Sequence, residues 1–339
     1  MRKARDVLLR AIDAEVFPAA SVDVGDSNGT LWQDAFGTAS IDTAFDLASL
    51  TKPIATGSLF MRLLGDGRVT LDTPVRDGFR EWNAIDRDTV TIRDLLEHSS
   101  GLPERLVDAP PATRREFEHD ICTLKLEYEP RTRSIYSDLG FILLGFLAAD
   151  RGGAPIDVQF RSIADRTGAR LIFTPSPPVR AQAAPTTPLA EDLRRGETLK
   201  GVVHDNYAAA LGGVAGHAGL FGSAEAVGAF ARVVLRAARG AANEPYPFTP
   251  DLVRLFTTRS RVPRSSRALA WDTMLTTSSC GAHMSASAFG HVGYTGTSLW
   301  IDPERNRYFV LLSNHARGTA SRDALRDVRR AFHDALADL

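Results

Sequence analysis

Segments patterned as strands stand at both ends of this chain, and segments patterned as helices fill its middle. Few architectures accommodate that order. Near the start, Ala20 to Val24 and Thr30 to Phe36 read as short strands around Asp26-Ser27-Asn28-Gly29, whose Asn-Gly pair favours a tight hairpin turn. Near the end, Ala268 to Asp272, His291 to Ile301 and Arg307 to Ser313 read as strands, the last two joined by the turn Asp302-Pro303-Glu304-Arg305-Asn306. Between them the spacing predicts an apolar helix from Ser49 to Leu64, stopped by Gly65-Asp66-Gly67, and another from Thr91 to His98. A third, Phe141 to Ala149, is so uniformly apolar that it is expected to be buried. Arg5 to Val16 and Arg322 to Leu339 read as amphipathic terminal helices. The expectation is an α+β fold: an antiparallel sheet built from both chain ends, flanked by helices, with an inserted helical subdomain. The Pro-rich stretches Thr174 to Pro188 and Glu244 to Pro250 read as irregular surface connections, not linkers between domains.

With 339 residues and 44% hydrophobic content, the chain can bury one large core or two closely packed subdomains. Its net charge of −1 and the lack of a basic run argue against a nucleic-acid partner and against electrostatic membrane attachment. Cys122 and Cys280 are far apart in sequence and are expected to be free thiols, with neither a disulfide framework nor a cysteine zinc site. Arg2, Lys3 and Arg5 open the chain, but Asp6, Arg10, Asp13 and Glu15 interrupt any apolar signal core, so a cytoplasmic protein is expected. No oligomeric state is implied.

Ser49-Leu50-Thr51-Lys52 carries the chemistry. A serine and a lysine three positions apart on a helix face each other across one turn, and a poorly solvated lysine with a lowered pKa can take the serine proton. The pattern stands out because the chain has only four lysines against 36 arginines. Tyr136 in Tyr136-Ser137-Asp138 is a candidate proton relay. His291-Val292-Gly293-Tyr294 opens an expected strand in which Gly293 permits close substrate approach. The Tyr294 N–H can there join the Ser49 N–H as an oxyanion hole. Other readings compete. Gly25-Asp26-Ser27-Asn28-Gly29 matches the Gly-x-Ser-x-Gly nucleophile elbow, although the returning strand after it favours a hairpin. His204, Asp205 and His217 are imaginable metal ligands without a supporting spacing, and the walls of a cleft suit them better. His98 reads as a helix C-terminal partner and His315 as a turn residue.

The order Ser-x-x-Lys, Tyr-x-Asp, His-x-Gly resembles that of the penicillin-recognising serine hydrolases: class C β-lactamases, DD-peptidases and family VIII carboxylesterases. Asp46 to Lys52, Leu95 to Pro103, Tyr136 to Phe141, Gly216 to Phe221 and Gly290 to Gly296 all look like segments of that family. The resemblance implies a single β-lactamase/transpeptidase-like catalytic domain over 1–339, with an α/β part at about 1–60 and 220–339 and a helical part at about 61–219. It implies that Ser49 is acylated, Lys52 is its base, Tyr136 the relay, and the Ser49 and Tyr294 N–H groups the oxyanion hole, with Asp138, His291 and Gly293 at the substrate. No metal or organic cofactor is required. Asp138 stands where β-lactamases usually have asparagine, and His291 where a Lys-Thr-Gly lysine would be. A histidine with an ordinary pKa near 6.5 is mostly neutral where a lysine is charged, so the cleft is expected to favour a small uncharged ester. Arg317 is a candidate for a compensating charge. A β-lactamase or a D-amino-acid amidase or peptidase on the same site is the alternative, and a non-catalytic binding protein on the same fold is a second one.

Overall fold

The computed structural model describes residues 1–106 and 110–339. Strands β1 (Ala19–Gly25) and β2 (Thr30–Gly37) form the first hairpin. The Asp26 carboxylate closes its turn by accepting the N–H groups of Asn28 (2.7 Å) and Gly29 (3.1 Å). The Gly-x-Ser-x-Gly match is therefore a hairpin turn, followed by a strand where an elbow needs a helix. Three short strands, β3 (Phe45–Asp46), β4 (Ile172–Phe173) and β5 (Leu220–Gly222), make a small sheet in the order β3-β5-β4. After them come β6 (Asp272–Thr273), β7 (Phe289–Val292), β8 (Ser298–Asp302) and β9 (Arg307–Ser313). The main sheet runs β2-β1-β9-β8-β7-β6 and is antiparallel throughout, so the first hairpin is zipped directly onto the last strand.

Both faces of this sheet are covered, which follows from its side-chain period of two. Val310 and Leu312 of β9 point into one core with Val227, Phe230 and Val234 of the helix Ala224–Ala238. Phe309 and Leu311 point into the other, with Leu8 and Ala11 of the helix Arg2–Asp13 and Leu325 and Phe332 of the helix Arg322–Asp334. The buried helix Asp138–Gly152 starts where the Ser137 side chain accepts the Gly140 N–H, and it ends at Gly153, whose φ of +75° suits a left-handed cap. No single helix among the described residues is long and apolar enough to cross a membrane.

Four expectations about elements need correction. The stretch expected as one helix from Ser49 to Leu64 is a 3-10 turn (Ala48–Leu50), a π-helical segment (Lys52–Gly57) and an α-helix (Ser58–Gly65). Pro53 has no N–H to give a regular helix there. The stretch His291 to Ile301 is two strands, because the Gly293 N–H bonds the Thr297 carbonyl (2.8 Å) and turns the chain back. Only Asp272 of Ala268 to Asp272 lies in a strand: the Ala268 N–H bonds the Trp271 carbonyl (2.8 Å), closing a turn with Ala270 at φ +66°. The first Pro-rich connection contains a short helix, Pro177–Gln182, started by two prolines that need no N–H partner.

Candidate active site

Ser49 is delivered by β3. The buried Asp46 carboxylate accepts the Ala48 N–H (2.8 Å) and the His204 N–H (2.6 Å), tying the approach to the serine to the far wall of the cleft. Burial raises the Asp46 pKa to about 6, with these two hydrogen bonds opposing the rise. Ala48 itself has φ +48°, a left-handed conformation that costs a non-glycine residue roughly 1 kcal/mol or more. That strain sits one residue before the serine.

Lys52 is fully buried, and its Nζ lies 3.1 Å from Ser49 Oγ, 2.6 Å from Tyr136 Oη and 2.7 Å from Asp138 Oδ1. Tyr136 Oη is also 2.7 Å from Ser49 Oγ, so serine, lysine and tyrosine form a closed triangle. One expectation reverses here. Burial alone would lower the Lys52 pKa, but the Asp138 carboxylate and the Tyr136 hydroxyl outweigh it, and the pKa is raised. Lys52 therefore rests as an ammonium. Burial pushes the Tyr136 pKa up while the Lys52 charge pulls it down, with the rise prevailing.

The turn after β7 is bolted to the other side of the serine. Thr295 Oγ1 donates to the Asp46 carbonyl (2.7 Å) and Thr297 Oγ1 to the Leu47 carbonyl (2.9 Å), so the turn that carries Tyr294 is fastened to the segment leading into Ser49, and both residues line the cleft. Gly293 lines the cleft, and the side on which a Cβ would stand faces protein: that atom would lie 2.6 Å from the Leu47 carbonyl oxygen and would also strike Thr297 Oγ1. The buried Arg329 guanidinium donates to the Gly293 (2.9 Å) and Thr297 (2.8 Å) carbonyls from below.

His291 is buried, its ring centroid 6.0 Å from that of Tyr136. Burial and the neighbouring Arg267 and Lys52 charges hold its pKa well below the ordinary histidine range, so it is neutral. Arg267 is the cation that sequence reasoning missed: its guanidinium lies 5.1 Å from the Tyr136 ring centre and lines the cleft. Arg317 is engaged elsewhere, with Thr187 Oγ1 (3.1 Å) and Thr198 Oγ1 (3.2 Å). His98 also differs from expectation. It is buried, its Nδ1 accepts the Ser137 N–H (3.0 Å), and its ring packs tilted against Tyr136 with the ring centres 4.7 Å apart, so it supports the tyrosine. His315 is a turn residue as expected, bonded through Nδ1 to the Val16 carbonyl at 2.8 Å.

The imagined metal group is regrouped. His204 turns its Nε2 to the Thr187 carbonyl (3.0 Å) and stacks on Tyr294, while His217 Nε2 donates to Asp205 Oδ1 (2.7 Å). Asp138, Asp205 and His217 place ligand-type atoms within 4.8 Å of one another, but Arg105 Nη1 bonds both carboxylates at 2.8 Å each. A guanidinium already supplies the positive charge that a metal would bring. The resulting cleft, about 1080 Å³, takes in Ser49, Tyr136, His291, Tyr294, Arg105 and Arg267. Arg105 and Arg267 had no sequence signal, being two among 36 arginines.

Comparison with known proteins places residues 6–333 on a family model described as Beta-lactamase. The chain is 31% identical over 303 residues to an N-acetylmuramyl-L-alanine amidase of Bacillus subtilis (strain 168), covering 80% of this chain and 68% of that protein. It is 30% identical over 306 residues to a protein of Escherichia coli (strain K12) provisionally named a D-alanyl-D-alanine carboxypeptidase, covering 81% and 70%. Its fold is similar to that of EstCE1, a hydrolase with promiscuous acyltransferase activity, with a TM-score of 0.78 at 19% identity over 99% of this chain and 98% of that one.

Proposed function

This chain belongs to the Beta-lactamase family and is a serine hydrolase, and from that premise we propose that it cleaves a small ester through an acyl-enzyme on Ser49. The observation that carries the reading is the closed triangle of Ser49, Lys52 and Tyr136, with every side at or below 3.1 Å. The Lys52–Tyr136 pair first gives up one proton. Tyr136 then takes the Ser49 proton as Oγ bonds the carbonyl carbon and the carbonyl electrons move to oxygen, facing the N–H groups of Ser49 and Tyr294. Collapse expels the leaving group, which takes that proton, and water repeats the sequence on the acyl-enzyme to restore Ser49. The neutral His291 beside the triangle favours an uncharged substrate.

Arg267 favours a second reading. A permanent guanidinium beside Tyr136 suits a substrate carrying a carboxylate, such as a β-lactam or a D-alanyl amide, and the name of the Escherichia coli relative points the same way. One experiment tests both. A fluorophosphonate should label the wild type and Ser27→Ala but not Ser49→Ala. Wild type should turn over p-nitrophenyl butyrate faster than nitrocefin or a D-alanyl amide. If the anionic substrates are faster, and Arg267→Met slows them alone, the second reading replaces the first.

A further inference from the structure

Behind the triangle lies a chain of charges that the reaction scheme does not use. Asp138 spends one oxygen on Lys52 (2.7 Å) and the other on Arg105 (2.8 Å). Arg105 shares the same Nη1 with Asp205 (2.8 Å) and gives Nη2 to Asn206 Oδ1 (2.5 Å), with its Cζ 3.9 Å from the Tyr207 ring centre. Asp205 in turn accepts His217 Nε2–H (2.7 Å), and the His217 carbonyl lies 3.3 Å from Lys52 Nζ, closing the loop. Arg105 is thus fixed by two carboxylates, an amide and an aromatic face, and it is the member that meets solvent, with a third of its side chain exposed.

We propose that Arg105 is a positioning residue that holds the second oxygen of Asp138, fixes Asp138 as the counterion of Lys52, and thereby sets the pH at which the triangle can accept the serine proton. This rests on the reading of Ser49 as nucleophile. Lys52 is faced by Tyr136 and Asp138 at the start of one helix, by the His217 carbonyl with Asp205 behind it, and by Arg105 across Asp138. His98, His291 and Arg267 face it from the remaining side. The two histidines are held neutral by burial. The ionic groups around Lys52 are the carboxylates of Asp138 and Asp205 and the guanidiniums of Arg105 and Arg267, with the His217 ring bonded to Asp205 and Arg329 beyond His291. Asp138 retains the Lys52 proton, whereas Arg105 draws the carboxylate's charge towards itself and opposes retention. An asparagine at 138 would need no such brace, so Arg105 belongs with the carboxylate.

The test needs no knowledge of the substrate. The rate of fluorophosphonate modification of Ser49 is followed against pH, and its rising limb reports the loss of the proton from the Lys52–Tyr136 pair. Arg105→Gln leaves two carboxylates without their shared cation, so Lys52 holds its proton more tightly and the midpoint moves up by about 1 pH unit. Arg105→Lys keeps the charge and returns the midpoint towards wild type. Asp138→Asn removes the anion and moves it down, by about 1 unit or more. Shifts of opposite sign are what a merely structural role would not produce. Unchanged midpoints with Ser49 still labelled overturn the proposal and leave the nucleophile standing. Should Arg105→Gln fail to fold, a midpoint that does not fall in Asp138→Asn overturns it alone. Wild type unlabelled at Ser49 at every pH overturns the nucleophile reading instead.

Discussion

As an ammonium, Lys52 has three protons, and four oxygens lie within 3.3 Å of it, on Asp138, Tyr136, Ser49 and His217. A lysine so crowded cannot be replaced in one role without disturbing the others. Lys52→Ala and Tyr136→Phe should therefore each lower kcat by on the order of 10²-fold, and the double variant should cost far less than the product. Steady-state kinetics on the four proteins checks this, and losses that simply multiply would mean two independent residues. Ser49, Lys52 and Tyr136 were legible because lysine and tyrosine are scarce in this chain and a serine three positions before a lysine has a narrow chemistry. The protonation of Lys52 was not, since it depends on a carboxylate 86 positions away in sequence. The second reason for a glycine at 293, the closeness of the Leu47 carbonyl, was not legible, since it comes from a segment far away in sequence.

At the scale of elements, two glycines set how closely the helix Asp138–Gly152 approaches the loop that carries His217. A Cβ on Gly145 would lie 2.8 Å from the Gly216 nitrogen, and one on Gly216 would collide with the Phe141 carbonyl oxygen. The Gly216 carbonyl also accepts Thr56 Oγ1–H at 2.6 Å, next door to the His217 carbonyl that faces Lys52. Gly216→Ala must push backbone against backbone, and should destabilise the protein by about 2 kcal/mol or more, within the usual range for overpacking. Urea denaturation measures the loss, and a midpoint within error of wild type would show that the loop can yield. Strands β1, β2 and β9 were legible from alternation and the Asn-Gly turn, because those signals are local. The breaks at Pro53 and between Gly293 and Thr297 were hidden by apolar runs that continue across them, and the contacts that impose them come from distant segments.

Over the whole molecule, burial leaves five histidines neutral: the pKa values of His98, His204, His291, His315 and His333 are all lowered, that of His333 to about 3. Their unfolded forms take up protons below about pH 6.5, which the native state refuses, so this stabilisation is full above that pH and is lost on acidification. Asp23, Asp46 and Glu97 act oppositely. Their raised pKa values, about 6 for the two aspartates, let the native state hold protons that the unfolded chain has released, so their contribution grows as pH falls towards 4. Five groups against three predict a lower Tm at pH 5 than at pH 7.5. His333 has no hydrogen-bond partner on either nitrogen among the described residues and packs on Phe309 and Phe332, so His333→Phe should lessen the loss at pH 5 by about 2 kcal/mol. An unchanged pH dependence in that variant would place the sensitivity elsewhere.

The seam between β1 and β9 also governs how the chain comes to be active during synthesis. The Ala19 N–H bonds Asn314 Oδ1 across 295 positions, and both flanks of β1 are filled only when β9 has been made. A nascent chain leaving the ribosome carries Ser49, Lys52 and Tyr136 early, but with an open strand edge and no Tyr294 turn. So non-local a topology folds slowly and stays prone to association until its last segment arrives. Hydrolysis therefore begins only after the final strands close the sheet, and an interrupted product is an aggregation hazard before it is an enzyme.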